Sequence, residues 1–288
     1  MKKRVDLHSH SIYSDGSKKP KEVANEAKQN NIGILALTDH DNIDGSKELI
    51  ALHDPEIYVY SGVELTAKAD KGRMHILGFN FDLENHELNT TLKEMHEASI
   101  YNILLYVELL KKDYGIFIPQ DKIDWLVNLK GNVGRPQLAL ILIQLGYVKN
   151  VEEAFNKYLI AVYEKVRHIK KGLTKEEAIP LIVNAGGVAS LAHPSTLKMD
   201  RNELRKELLY LKELGLRCIE AIHSNETPES RKFYLELAKE LELMISGGTD
   251  YHGHEIKPDI DLGYGRNNNV TIYESDLSLV KNIKSRYM

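Results

Sequence analysis

The chain has 288 residues, 42% of them hydrophobic and 28% charged, with a formal net charge of −4 at pH 7. This balance suits an ordinary soluble protein with a sizeable core, and it excludes the basic field that tight non-specific binding to duplex DNA requires. One cysteine, Cys218, leaves no intramolecular disulfide, and no run of 18 apolar residues offers a membrane span. The opening MKKRVDLHSH lacks the apolar stretch of a secretory signal, so the expected compartment is the cytoplasm.

In chain order, KRVDLHS reads as a strand and KKPKEVANEAKQNN as a helix with Val23, Ala24 and Ala27 on one face. IGILALTDH is a buried strand, SKELIALH a helix, and EIYVYSGVEL and RMHILGFNF two further strands. From about residue 83 the pattern turns helical through NHELNTTLKEMHEASIYNILLYVELLKKDYG, PQDKIDWLVNL, GRPQLALILIQLG and VEEAFNKYLI, with Gly or Pro between the segments. Residues 83–172 are therefore expected to form a helical insertion or cap between residues 1–82 and 173–288.

The strand–helix alternation then resumes. TKEEAIPLIVNAG enters a helix through a capping box. GVASLAH, LRCIEAIHS and LMISGGTDYH read as strands, with RNELRKELLYLKELG and PESRKFYLELAKELE as helices between them. NVTIYESDLSLVKNIKSRY gives a short strand and a last helix. Seven or eight strands alternating with helices predict an α/β fold with largely parallel strands, a closed or distorted (β/α) barrel rather than an open sheet. Cys218 falls in an apolar run and is expected to be a buried strand residue.

Most of the chemically active residues sit where these strands end. His8 and His10 end the first strand, His40 ends ILALTDH, Glu64 ends YVYSGVE, His193 ends GVASLAH and His223 ends CIEAIH. His75 opens HILGF, and Asp250 and His252 follow LMISGGT. Side chains at i and i+2 of a strand share a face, so His8 with His10, and Asp250 with His252, each present two donors together. In a parallel barrel the strand ends meet at one mouth. Imidazoles and carboxylates gathered there would repel and desolvate one another unless a cation neutralised them, which points to a polynuclear metal site.

DLHSHSIYSDG, ALTDHDN, GVELTA, MHILGF, LAHP and GGTDYHG resemble the successive motifs of the PHP family, named for polymerase and histidinol phosphatase. The resemblance covers residues 1–82 and 173–254, with all nine usual metal positions filled. It implies a distorted (β/α)7 TIM-like barrel and a metal-dependent phosphoesterase. It also implies three ions: His8, His10, Glu64 and Asp250 at the first, Glu64 with His75 and His193 at the second, and Asp15, His40 and His252 at the third. Such donors suit two to three Mn²⁺, Fe²⁺ or Zn²⁺ ions, with a water or hydroxide bridging two of them as nucleophile. The block carrying GRPQLALILIQLGYV resembles the insert of one branch, the nucleoside 3',5'-bisphosphate phosphatases and related 5'-to-3' exoribonucleases. The implied substrate is a small nucleotide or the 5' end of a short RNA; a non-nucleotide ester such as histidinol phosphate is the alternative, and a metal-binding module without turnover a further one.

Other residues carry weaker signals. His223 either donates to the leaving group, holds a phosphate, or is structural. Asp39 is expected to orient a histidine ligand by accepting its other N–H, and Asp41 or Asn42 to cap the next helix. Arg135, beside Pro136 at a helix start, either binds a phosphate or is solvated or salt-bridged. Lys165, Arg167, His168, Lys170 and Lys171 form a basic run that is a solvated face unless it lines a cleft. Trp125, Tyr101 and Tyr106 are expected in the core of the insert, and Tyr251 is expected to point away from the flanking Asp250 and His252.

Overall fold

The structure is a computed structural model that describes residues 4–131, 133–166 and 172–287. Two compact units divide the chain, Met1–Asn89 with Leu173–Met288, and Thr90–Gly172. The first contains β1 (Arg4–Asp6), α1 (Pro20–Gln29), β2 (Ile32–Leu35), α2 (Asp44–Ala51), β3 (Tyr58–Val59), β4 (Gly62–Ala67) and β5 (Met74–Phe79). The long α3 (His86–Tyr114) begins there and lies mostly in the second unit. That unit continues with α4 (Gln120–Val127), α5 (Arg135–Gln144), α6 (Val151–Ala154), a π-helical turn (Phe155–Leu159) and α7 (Ile160–Val166). The first unit resumes with α8 (Lys175–Asn184), β6 (Val188–Leu191), α9 (Arg201–Glu213), β7 (Cys218–His223), α10 (Pro228–Glu240), β8 (Met244–Gly248), β9 (Ile260–Asp261), β10 (Gly265–Arg266) and α11 (Ser278–Asn282).

Local sequence explains the helix starts. Pro20 occupies the first turn of α1, where its missing N–H costs nothing, and Glu22 takes the Lys19 N–H at 2.7 Å. Val23, Ala24 and Ala27 are the buried face, as their spacing predicts. At α8 the Glu177 carboxylate accepts from the Thr174 N–H at 2.7 Å, the returning half of the capping box.

The strands pair in three ladders. β1, β2 and β3 run parallel; β9 and β10 form a small antiparallel pair. The third sheet has the order β4-β5-β6-β7-β8, antiparallel on both sides of β5 and parallel from β6 to β8. The fold is mixed α/β, and among the described residues the strand pairing does not close into one ring. Single links join the two larger sheets: Leu7 N–H donates to Gly247 O at 3.2 Å, and isolated bridges pair Ser9 with Tyr251 and His40 with Glu64. The expected strand EIYVYSGVEL divides into β3 and β4, and the expected strand at NVTIY reduces to one bridge, Arg4 with Tyr273.

One apolar cluster of the first unit gathers Val5, Leu7, Ala36, Tyr60, Leu77, Phe79, Cys218 and Ile272; another packs α1 and α2 residues against Leu35, Leu37 and Tyr251. Burial pushes the Cys218 thiol up to about 12, which keeps it an inert core residue as expected. The second unit has its own core, including Ile103, Tyr106, Leu138, Leu142 and Val162. Tyr106 joins that core, but Tyr101 and Trp125 are 57% and 45% exposed, contrary to the core expectation. Among the described residues no helix is long and apolar enough to cross a membrane.

Candidate metal centre

The segment after β1 is held extended by the segment after β8. Asp250 N–H donates to His8 O and His10 N–H to Tyr251 O, both at 2.8 Å. Alternation then turns His8 and His10 to one side while Ser9 Oγ bonds Ala36 O at 2.9 Å on the other. Asp250 and His252 mirror this: Tyr251 between them points away into the core and donates its hydroxyl to Glu26 at 2.7 Å. The close approach requires glycine, since a Cβ on Gly248 would lie 2.4 Å from both Cβ and backbone N of His8. Buried Asp6 locks the same corner, accepting from the N–H of His8, Thr249 and Gly263 and from the Thr249 hydroxyl, at 2.6–3.2 Å.

All nine residues read from the sequence converge. Glu64, 1% exposed, is the hub: Oε1 lies 2.7 Å from His75 Nδ1 and 2.9 Å from His193 Nε2. Its Oε2 lies 3.1 Å from His8 Nε2, 3.2 Å from His10 Nε2 and 3.3 Å from His40 Nδ1. Asp250 Oδ1 adds contacts of 3.3 Å to His10 Nε2 and 3.6 Å to His8 Nε2. Asp15 Oδ1 faces His252 Nε2 at 3.2 Å, and its Oδ2 faces His40 Nε2 at 3.8 Å. Glu64 does not end a strand; it is the third residue of β4, and His40 bridges it from the chain beyond β2. His75 reaches the cluster because β5 is antiparallel, which brings the start of that strand to the site, opposite Thr66.

The partners of the ring nitrogens fix which nitrogen faces inward. His8 Nδ1 donates to Glu220 Oε1 at 2.8 Å, and His252 Nδ1 donates to the Asp250 carbonyl at 2.8 Å. His193 Nδ1 meets Thr196 Oγ1 at 3.1 Å, and that hydroxyl donates onward to Arg73 O at 2.9 Å. His10 Nδ1 meets Ser14 Oγ at 3.3 Å, and Ser14 donates to Asp39 at 2.8 Å. In each ring the Nδ1 proton is committed outward, so the neutral imidazole turns an Nε2 lone pair inward, as a metal ligand requires. His10 Nε2 and His40 Nδ1 are buried with no hydrogen-bond partner, which is the condition a coordinated ion relieves.

Charge agrees with this arrangement. Burial opposes the imidazolium of His8, but the carboxylates of Glu220 and Glu64 outweigh it and hold its pKa well above the ordinary histidine value. His10 and His193 are raised in the same way by carboxylate neighbours that overcome burial. Burial lowers His75 to about 4. Glu64 and Asp250 are held well below the usual carboxylate range despite burial, because imidazoles surround them. Sets with donor atoms mutually within 4.8 Å include His10, Asp15, His40 and His252; His8, His10 and Glu64; and His40, Glu64 and His75. Neutral imidazole and carboxylate donors in these sets fit hard or borderline divalent ions.

Three further acidic or imidazole groups define the surroundings. Glu220 lies in β7 with its first oxygen on His8 Nδ1 and its second on the His193 N–H at 2.7 Å, so it contacts two of the histidines. His223 is oriented oppositely: its Nδ1 accepts from the Asn225 N–H at 3.1 Å, so the neutral ring carries its proton on Nε2. That nitrogen faces Asp250 Oδ2 at 3.6 Å, and donor atoms of His223, His8 and Glu220 also lie within 4.8 Å of one another. Asp39 corrects an expectation. Its carboxylate accepts from Ser11 N, Ser11 Oγ and Ser14 Oγ at 2.7–2.8 Å, and it reaches His10 only through Ser14. The short serine hydroxyls at 11 and 14 fill the space between, so Asp39 is a positioning residue.

Two of the site residues have positive φ, His193 at 25° and Asp250 at 57°. The N-cap residue of α2 is Ile43, with no side-chain cap bond; Asp41 Oδ1 takes the Thr66 N–H and Asn42 Oδ1 the Asp44 N–H, both at 2.7 Å. In the second unit Arg135 begins α5, and its guanidinium lies 4.3 Å from the centre of the Tyr163 ring and 5.4 Å from that of Phe155. Among the described residues no carboxylate pairs with it. Of the basic run, Lys165 pairs with Asp113 at 2.7 Å, while Arg167, His168, Lys170 and Lys171 lie outside the described residues.

Sequence reading missed Glu220, Asp6 and Lys257. A glutamate inside the buried strand CIEAIH is itself a signal, because a charge there needs a partner. Lys257 reaches Asp250 Oδ2 at 2.7 Å from seven residues downstream, a contact no strand periodicity marks.

A buried carboxylate hub ringed by oriented imidazoles, on a mixed α/β scaffold, defines a metal-dependent phosphoesterase once the family is known. The chain belongs to the PHP domain family, whose model matches residues 6–240. It is 32% identical over 259 residues to a 5'-3' exoribonuclease of Haemophilus influenzae, covering 88% of this chain and 91% of the relative. It is 30% identical over 251 residues to a 3',5'-nucleoside bisphosphate phosphatase of Chromobacterium violaceum, covering 86% and 87%. A solved structure from Bifidobacterium adolescentis, provisionally described as a metal-dependent phosphoesterase, superposes with TM-score 0.76 at 25% identity, covering 95% and 93%.

Proposed function

We propose that this protein hydrolyses a phosphate ester of a small nucleotide, a nucleoside 3',5'-bisphosphate, or trims a short RNA from its 5' end. The observation that carries the reading is the set of inward Nε2 atoms of His8, His10, His193 and His252 around Glu64, Asp250 and Asp15, each fixed by a partner on its far nitrogen. The two relatives named for nucleotide and RNA substrates support the substrate class.

In this reading His8, His10, Glu64 and Asp250 hold one divalent ion, Glu64, His75 and His193 a second, and Asp15, His40 and His252 a third. Bound there, Mn²⁺, Fe²⁺ or Zn²⁺ would supply Lewis acidity toward the phosphoryl oxygens and would lower the pKa of bound water toward neutrality. Glu64, with both oxygens among five imidazoles, would be shared between the ion sites. His223 Nε2–H donates to a phosphoryl or leaving oxygen on the Asp250 side. Arg135, without a carboxylate partner among the described residues and stacked on Tyr163, binds the second phosphate in the helical insertion 83–172. The bridges His40–Glu64 and Ser9–Tyr251 support treating the two larger sheets as halves of a distorted (β/α)7 barrel.

The test is phosphate release with Mn²⁺ from adenosine 3',5'-bisphosphate, AMP, a short 5'-phosphorylated RNA and histidinol phosphate, side by side. Selective release from the bisphosphate, or stepwise nucleotide release from the RNA, is expected. Release from histidinol phosphate alone would overturn the nucleotide reading and leave the metal centre standing.

A further inference from the structure

We propose that Lys257 is a phosphate-binding residue of the metal centre, forming with His223 a two-donor clamp on the outer side of Asp250. The inference rests on the phosphate-ester reading above and deepens it, because it assigns a contact to the transferred phosphate that the nine metal-site residues do not supply.

The placement is local and built. After His252 the chain turns at Gly253, which has φ 85°, and the N–H groups of Ile256 and Lys257 both bond back to Gly253 O. This tight turn returns Lys257 toward Asp250, and Pro258 restricts the backbone immediately after it. The ammonium Nζ then lies 2.7 Å from Asp250 Oδ2 and 3.4 Å from Asp250 O.

The Asp250 carboxylate therefore has two different faces. Oδ1 looks toward the Nε2 atoms of His8 and His10. Oδ2 looks toward Lys257 Nζ and, at 3.6 Å, toward the protonated Nε2 of His223. His223 Nε2 is buried and has no hydrogen-bond partner. An ammonium has three N–H donors, and two acceptors account for two of them, so the third remains for a ligand. The Lys257 side chain is 31% exposed, which leaves that third donor reachable from solvent.

Charge distinguishes the clamp from a simple structural salt bridge. Asp250 is already engaged by imidazoles, and an ammonium on its second oxygen competes with any metal ion for the same negative charge. As a purely structural device Lys257 would weaken the site it touches. An anion bridging the metal side and the ammonium resolves the conflict, and the phosphoryl group of the substrate, or inorganic phosphate as product, is such an anion. Among the described residues Lys257 is the one lysine or arginine within ion-pair distance of the converged carboxylates.

The experiment uses the Mn²⁺-loaded protein, with inorganic phosphate as the probe, in wild type, Lys257→Gln and Lys257→Arg. Calorimetry measures phosphate binding, chelator competition measures Mn²⁺ affinity, and steady-state kinetics separate KM from kcat. Lys257→Gln is expected to weaken phosphate about tenfold or more, the scale of a charge-assisted hydrogen bond, with Mn²⁺ affinity unchanged or tighter. Lys257→Arg should recover most of the phosphate affinity. Equal phosphate affinity in wild type and Lys257→Gln would overturn the clamp while leaving the phosphoesterase reading intact. So would loss of Mn²⁺ in parallel with phosphate in both variants, since Lys257 would then serve only to hold Asp250. Wild-type protein that neither binds phosphate nor hydrolyses any ester would overturn the clamp together with the reading beneath it.

Discussion

His8 Nδ1 and Glu220 Oε1 are 2.8 Å apart, both fully buried, and this bond decides which nitrogen of His8 faces Glu64. Glu220→Gln can still accept from His8, but its amide would present N–H groups to the His193 N–H that the carboxylate now accepts. Mn²⁺ affinity is expected to fall about 10- to 100-fold, the usual cost of losing such a positioning partner. Titration with a competing chelator checks this, and unchanged affinity would remove Glu220 from the account of the site.

Asp15 is more peripheral, with a 37% exposed side chain, so replacing it costs the fold little. Asp15→Ala should lose one ion and most turnover, with an unchanged circular dichroism spectrum. Full metal content with unchanged kcat would refute the third ion.

Metal uptake should release protons. His8, His10 and His193 all have pKa values raised by neighbouring carboxylates, and an imidazole that binds a metal through Nε2 must give up its proton there. A raised pKa keeps the proton bound to higher pH, so Mn²⁺ affinity should weaken as pH falls from 8 toward 6. Calorimetry in buffers of different ionisation enthalpy reads the proton count directly; a buffer-independent heat would contradict it.

Gly248→Ala places a methyl 2.4 Å from the His8 backbone, where nothing can rotate away. Destabilisation of about 1–3 kcal/mol is expected, with metal affinity falling as β8 is pushed off the first strand. Thermal melts with and without Mn²⁺ measure both effects.

Arg135→Ala should weaken a 3',5'-bisphosphate by about tenfold or more while changing a monophosphate far less, because the guanidinium has no competing carboxylate among the described residues. Equal losses in kcat/KM on both substrates would mean that Arg135 does not read the second phosphate.

Strand alternation and strand ends made most of the converging histidines legible locally, whereas the full set of nine, Asp15 included, came from the resemblance to the PHP motifs, and Glu64 lies inside β4. His8 with His10, and Asp250 with His252, needed only the two-residue period. What lay out of reach depended on distant pairings. Asp39 works through Ser14, Glu220 serves histidines contributed by the ends of two other strands, and Lys257 acts through a turn. Strand direction was hidden as well: the antiparallel course of β5 explains why His75 reaches the cluster from the start of its strand. Tyr101 and Trp125 were misplaced because helical period shows that a residue lies on a face, not which face finds a partner.

The positive φ angles of His193 and Asp250 set evolution and engineering at odds. A side chain held in that region costs about 1–3 kcal/mol, which glycine would not incur. Glycine at either position would relieve that strain, but it would also remove the His193 contact to Glu64 or the Asp250 contact to Lys257. Thermostabilising libraries for this chain should keep residues 193 and 250 fixed and seek their gains elsewhere.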